Sequence, residues 1–342
     1  MAKGEFFSLN FDKIILNLKG IFTMKKIISL VLAASMLALM LFSFASCSSN
    51  DKPTIGIIQF GSHGSLNNCY DGIMQGLAEM GITEEEYNIE YVNSNFDSGV
   101  SQSQAKTFVN KNASVIIAIA TPSAVAAATA SDGEIPVVFC AVTDSTVMEN
   151  YENITGSSDI PNFEKQLEVV TAFMGKSDLK IGVLYSTEES SSPVQVANLK
   201  VAAEKYEGME ILDSAVADIT TIDSKTNELI DRGVDCFVNL LDNTIVGKLE
   251  TNILPITNEK KIPVFGSEIE QVKVGCAASA SIDYITVGKS AGEAAAKILN
   301  GTNADDITVA VITNPTNYYN SKVCEELGLT VPSTIAATDV AE

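Results

Sequence analysis

The chain has 342 residues, 46% of them apolar, enough to bury the core of one large or two ordinary domains. A formal net charge of −21 with no basic stripe argues against nucleic acid, since nothing is placed to neutralise phosphates. There is one histidine (His63), one arginine (Arg232) and no tryptophan, which narrows the chemistry further.

The chain opens on a segment that reads as an export signal. Met24-Lys25-Lys26 is a positive start, 27–44 is an uncharged run, apolar but for three serines, and Phe44-Ala45-Ser46-Cys47 places small residues before a cysteine. This resembles a bacterial lipobox, although Phe44 stands where leucine is usual. The expectation is a signal over 1–46 with Met24 as the true initiator, cleavage before Cys47, lipidation of Cys47 and a tether over 47–52. At 18 residues the apolar run also reaches the lower limit for a membrane span. The cysteine motif and the polar residues after it favour an acyl anchor on the membrane surface instead.

From residue 53 onward, short apolar runs alternate with helical patterns. Strands are predicted at 54–60, 88–93, 114–120 and 136–142, with helices at 66–80, 101–110 and 123–130 between them. The pattern restarts near 153–157: helix 161–174, strand 180–185, helix 193–206, strand 209–216, helix 222–232, strand 235–240. A helix over 244–259, strands at 263–266 and 276–282, a helix over 286–299, a strand at 307–312 and a helix at 321–327 complete the chain. Strands alternating with helices imply βαβ units and parallel sheets. No Pro/Ser/Gly-rich linker divides the chain, so the reading is of lobes joined by short crossovers.

Nearly every predicted strand ends in small hydroxyl, amide or acidic residues, as in GSHGS (61–65), TPS (121–123), TDS (143–145), STEES (186–190), DNT (242–244) and GSEIE (266–270). In an open parallel sheet the carboxyl ends of the strands form the rim where ligands bind. The repetition points to a binding protein. Nothing here points to catalysis: no G-x-G-x-x-G follows the first strand, G-x-S-x-G is absent, and His63 has no evident nucleophile partner. Cys69, Cys140, Cys236, Cys276 and Cys324 are widely spaced with no CxxC, and read as small buried hydrophobes. With one histidine and no cysteine pair, a zinc site is disfavoured, and no cofactor is called for.

IGIIQF followed by His63, AIATPSAVAAA, IPVVFCAVTD, NITGSSD, KIGVLYS, LLDNT, KIPVFGSE and IDYITVGKSAGEAAAKIL occur in order over about 53–331. Together they resemble the ABC-transporter substrate-binding lipoprotein family typified by tryptophan- and tyrosine-binding proteins. The resemblance implies a type I periplasmic-binding-protein fold: two doubly wound parallel-sheet lobes joined by three crossovers around a central cleft. The lobes are expected at 53–157 plus 283–305 and at 158–282 plus 306–342. It further implies a lipid-anchored, extracytoplasmic protein that captures a small solute by lobe closure and delivers it to ABC permease and ATPase subunits.

The residue inventory suits a zwitterion, with an amino acid favoured and an aromatic one implied by the resemblance. No arginine clamp stands at a strand end, and tryptophan platforms for sugars are lacking. Thr121, Thr143, Asn243 and backbone N–H groups are candidates for its carboxylate, and Asp144, Asp159, Glu189 or Asp242 for its ammonium. Phe60, Tyr70, Phe139 and Tyr185 are candidate apolar walls. The family pattern adds Gln59, Ser62, His63, Pro122, Ser191 and Glu268, the last standing where aspartate is common. Bland roles stand beside these: Phe60 as core, Thr121 as a helix cap, Asp144 as a turn cap and His63 as a surface residue, with ligand stacking or a lobe-to-lobe hydrogen bond favoured for His63. Glu188 competes with Glu189 for register, and Asp242-Asn243 is the favoured pair in the second lobe. A nucleoside or sugar ligand, or a sensor without a transporter, is the alternative.

Overall fold

The computed structural model describes residues 52–341. The expected signal, Met24 start and Cys47 lipidation site, and the tether apart from Lys52, lie outside the described residues. No helix among those described is long and apolar enough to cross a membrane.

The first half begins with β1 (Thr54–Gln59), α1 (Gly64–Glu79), β2 (Asn88–Asn93), α2 (Ser98–Asn110) and β3 (Val115–Ile119). It continues through α3 (Thr121–Ser131), β4 (Val137–Cys140) and β5 (Ile154–Asp159). The second half runs α4 (Phe163–Met174), β6 (Lys180–Ser186), α5 (Ser191–Ala203), β7 (Glu210–Val216), α6 (Ile222–Asp231) and β8 (Cys236–Val238). After it come α7 (Asn243–Val246), α8 (Leu254–Glu259), β9 (Val264–Phe265), α9 (Ile269–Val274) and β10 (Ala278–Ser281). The tail holds α10 (Tyr284–Leu299), β11 (Ala310–Ile312), β12 (Thr316–Tyr319), α11 (Ser321–Leu327) and β13 (Thr338–Asp339).

Two sheets result. The first is wholly parallel, in the order β11-β5-β4-β3-β1-β2. The second runs β7-β6-β8-β9 in parallel. A Gly266–Ser279 bridge continues it to β10, which pairs antiparallel with β12. Each sheet is covered on both faces, as continuous apolar strands require. In β1, Ile55 and Ile57 pack under α1 and α10, while Ile58 faces Phe108 of α2 and Ala124 of α3. The second sheet packs Ile181 and Val183 beneath α4 and α5, and Leu184 and Phe237 beneath α6.

The chain changes sheet after Asp159, after Ser281, and between Ile312 and Thr316. The last change corrects the expected boundary at 305/306: Ala310–Ile312 pairs with β5, so the first half runs on to Ile312. The predicted helix over 244–259 is also corrected. It is α7, a π-helical turn at Leu249–Ile253 and then α8, with Pro255 at the start of the last piece. Proline has no N–H to donate to a continuous helix and is tolerated in a first turn.

Helix α10 carries the chain back from the second sheet and lies against α1 at near backbone contact. A Cβ on Gly72 would run into the Ile285 carbonyl oxygen, and one on Gly288 into that of Cys69. Only glycine permits that approach. It sets the start of α10, and with it Tyr284, beside the carboxyl end of β5.

Candidate functional site

Between the carboxyl ends of the two sheets lies a narrow gap. The first half lines it with His63, Ser65, Leu66, Ala141, Thr143, Asp159 and Tyr284, and the second with Leu241, Asn243, Val246, Glu268 and Gln271. Only about 20 Å³ admits the centre of a water molecule, roughly the room one water needs. Anything the size of an amino acid therefore enters only if the halves part. A groove beside it, floored by Val246, Leu249 and Val274, shares His63, Glu268 and Gln271 as a common wall.

Asp159 ends β5 and is 2% exposed. Its two oxygens accept hydrogen bonds from Thr143 Oγ1 at 3.1 Å and the Tyr284 hydroxyl at 2.7 Å. Burial pushes its pKa up to about 6, against the lowering pull of those two hydroxyls. No lysine or arginine lines the gap. A buried carboxylate held by neutral donors alone has room for a cation's charge.

His63 precedes α1, and its Nε2 lies 3.1 Å from Asn243 Oδ1 across the gap. The Asn243 amide is oriented by donating to Glu189 Oε2 at 2.8 Å, which leaves Oδ1 to accept. Nε2 of His63 must then carry the proton, and Nδ1 is a bare acceptor, buried without a partner. Burial holds the imidazole neutral, with a pKa near 4, although the Asn243 bond opposes the shift. Asn68 Nδ2 makes a second link between halves, to Glu270 Oε1 at 3.0 Å.

The second half's carboxylates are arranged differently. Asp242, fully buried, accepts from Ser186 N–H at 2.6 Å, Ser192 Oγ at 2.7 Å and Ile245 N–H at 3.0 Å. It caps α7 and ties it to β6 and α5. Glu189 accepts from Asn243 Nδ2 and from both the N–H and hydroxyl of Thr244. Burial, and the Asp242 carboxylate beside it, raise its pKa well above the usual range. Glu268 caps α9 through the Glu270 and Gln271 N–H groups at 2.6 and 2.9 Å, and burial pushes its pKa up to about 7.

Of the residues singled out from sequence, His63, Thr143, Asp159, Asn243 and Glu268 line the gap, and Glu189 stands behind Asn243. The others do not. Asp242 is turned into the second half, a correction to its place in the favoured pair. Gln59 is buried and braces the 61–67 turn through Gly61 O and Asn67 Oδ1. Phe60 is core, edge-on to Phe96, and Phe139 is core as well. Asp144 caps a 3₁₀ turn through Thr146 N–H. Thr121 and Pro122 open α3 and border a separate groove with Glu188 and Ser190. Ser62 accepts from Asn93, Ser191 is buried at the start of α5, Tyr185 packs on the second core and Tyr70 on Tyr91. Sequence reasoning missed Ser65, Leu66, Ala141, Leu241, Val246, Gln271 and Tyr284. Ser65 had a signal as the last residue of the GSHGS rim motif, and Tyr284 as the residue just after the Asp283 cap of a helix that returns from a crossover.

A profile of the ABC transporter substrate binding protein family matches residues 54–340. The chain belongs to that family. It is a family of solute-binding proteins, not enzymes, and its architecture is the type I periplasmic-binding-protein fold. The chain is 32% identical over 311 residues to a tyrosine-binding protein of Clostridioides difficile strain R20291, covering 84% of this chain and 88% of the relative. It is 31% identical to an ABC domain from Streptococcus pneumonia solved in complex with L-Trp, with a TM-score of 0.78 over 83% of this chain and 97% of that one. A ligand-free, open structure of a substrate binding protein with adhesive properties from Clostridium difficile is 30% identical, covering 84% of this chain and 99% of that one. It superposes at a TM-score of 0.63. At nearly equal identity this chain follows the L-Trp-bound relative more closely than the open one, in keeping with its narrow gap.

Proposed function

We propose that this binding protein is the extracytoplasmic receptor of an ABC importer and captures one free amino acid, aromatic by preference, as its two halves close. The observation that carries the reading is Asp159: a buried carboxylate facing the gap, bonded to neutral hydroxyls, with no lysine or arginine in the lining and its one histidine held neutral by burial. An ammonium group supplies the missing charge, and charge-assisted hydrogen bonds in a dry site are the strong ones. His63 Nδ1 offers a second acceptor to the same group. The tyrosine-binding and L-Trp-bound relatives support the choice of an aromatic amino acid.

Closure follows from differential affinity. A ligand that touches Asp159 on one side and Asn243 or Glu268 on the other binds the closed arrangement better, and shifts the population toward it. The His63–Asn243 and Asn68–Glu270 bonds add to the closed state. The reading includes anchoring through a lipid on Cys47 and delivery to a membrane permease driven by an ATPase.

A thermal-shift screen of the full-length chain against the amino acids, nucleosides and monosaccharides tests it. One amino-acid class, with L-tyrosine or L-tryptophan foremost, is expected to raise the melting temperature. A shift by nucleosides or sugars alone would end the amino-acid reading.

A further inference from the structure

Two glycines on facing sides of the gap are kept bare by the half opposite. Gly64 opens α1 and Gly247 ends α7, and neither has a left-handed backbone; Gly247 sits at φ −61° and ψ −14°, where any residue fits. A Cβ on Gly64 would stand 2.5 Å from Cγ of Glu270, and one on Gly247 would stand 3.0 Å from Cζ of Phe96. The nearest atom to it in its own half is the Asn243 carbonyl oxygen at 3.3 Å, one turn back, a neighbour that every helical Cβ has. Glu270 is held in place by its bond from Asn68, so the first seat belongs to a contact already described. The second does not.

Phe96 lies in the turn between β2 and α2 and reaches that seat from a strained backbone. Asn95 and Phe96 are both left-handed, at φ 51° and 62°. Asparagine tolerates that region, but for phenylalanine it is a steric outlier that the surroundings must impose. They do so through Ser94 N–H to Gln59 O, Phe96 N–H to Phe60 O and Asn95 N–H to Asn93 Oδ1, each at 2.8 Å. The ring so aimed covers Gly61, where a Cβ would run into it, and meets Phe60 edge-on. It lies parallel to the His63 imidazole, with 9° between the planes and 6.4 Å between centroids. Phe96 is not among the residues lining the narrow gap; its far edge meets Gly247 of the other half instead.

We infer that Phe96 and Gly247 are a latch between the halves: the ring seats on the glycine as the gap narrows, and holds a captured ligand by slowing reopening. Phe96 is a positioning residue, and it acts at two points. It steadies His63, whose Nε2 bonds Asn243 at the start of α7, and its own edge rests on Gly247 at the end of the same helix. The first half thus grips α7 at both ends. A contact made after the ligand has entered leaves the entry rate nearly unchanged and lowers the exit rate. The latch rests on the reading that the halves close over a ligand, whichever ligand that is.

The chain has no tryptophan, so L-tryptophan is the only indole in a stopped-flow fluorescence experiment on the full-length protein. Gly247→Val puts a branched side chain on the seat, at an exposed helix end where glycine is itself a poor helix former. Release is expected to quicken about tenfold or more, association to change by less than about threefold, and the unliganded melting temperature to hold. Phe96→Ala should quicken release likewise. Gly247→Val added to Phe96→Ala should change nothing further, because the valine then has room. Strictly additive effects, or a Gly247→Val protein that releases L-tryptophan as slowly as the wild type, would overturn the latch with the amino-acid reading intact. If neither L-tryptophan nor, by calorimetry, L-tyrosine binds the wild type, the amino-acid reading fails. The same variants are then titrated with the nucleoside or monosaccharide that raises the melting temperature, and unchanged affinity in Gly247→Val overturns the latch there too.

Discussion

Asp159 and Asp242 are both buried aspartates at the rim of a parallel sheet, one in each half, yet they do opposite work. Asp242 meets three donors of its own half, two of them backbone N–H groups, and locks α7 to β6 and α5. Asp159 meets two hydroxyls and looks into the gap. Burial raises both carboxyls above their ordinary range. What separates them is who answers the charge: one is satisfied within the fold, the other awaits a partner from outside. Burial and residue type do not distinguish a ligand site from a cap; the donor inventory does.

Replacing each aspartate breaks or sharpens that contrast. The largest effect is expected from Asp242→Ala, which strands three buried donors. The protein should lose about 3 kcal/mol or more in chemical denaturation, and affinity should suffer only through that loss. Asp159→Asn should do the reverse. Affinity for the amino acid should fall about 100-fold by calorimetry, while the unliganded protein gains on the order of 2–3 kcal/mol at pH 8.

The sign of that gain follows from linkage. Asp159 is raised to about 6 and Glu268 to about 7 in the folded state, so the unliganded fold binds more protons than the unfolded chain between pH 4 and 8. Their stabilising contribution is complete below about pH 4 and is lost as pH rises through 6 and 7. His63, lowered to about 4, acts the other way, its contribution falling away as pH drops from 6.5 toward 4. The difference between wild type and Asp159→Asn isolates the aspartate: stability should diverge from pH 4 upward and level off above about 7. Parallel curves would place Asp159 among the satisfied carboxyls.

The smallest of these effects is expected for Asn243→Ala, which removes one bond between halves and one donor to Glu189. Affinity should weaken about tenfold with a stability loss near 1 kcal/mol, read by calorimetry and thermal melting.

Most of the fold was legible in the sequence because its strands are unbroken apolar runs and its turns are marked by Gly, Asn, Asp and Pro. Helix 98–110 even carries its cap, Asp97, in plain view. Several elements escaped, among them β5, where the sequence reading gives only the start of a crossing, the short helix α9 and the strand β13. Thr316–Tyr319 is a polar, aromatic strand at the margin of the second sheet, with no apolar run to betray it. The turn at 249–253 keeps helical periodicity while its hydrogen bonds change. The gap was legible in part. His63 and Asn243 were singled out because they follow predicted strands and Asp159 because it sits at a family-motif position, whereas Asp242 follows a strand too and faces inward. Ser65 and Gln271 are ordinary polar residues in helical first turns. Their exposure to the gap depends on how two sheets meet, and no local pattern encodes that.

The account turns on a cation answering the Asp159 carboxylate, and proton release on binding measures that most directly. Calorimetric titration at pH 6 in buffers of differing ionisation enthalpy should show a net release of protons from the wild type as the bound ammonium drives Asp159 to its charged form. Release should be markedly reduced in Asp159→Asn. Binding that releases no protons in the wild type, or the same number in both, would contradict it.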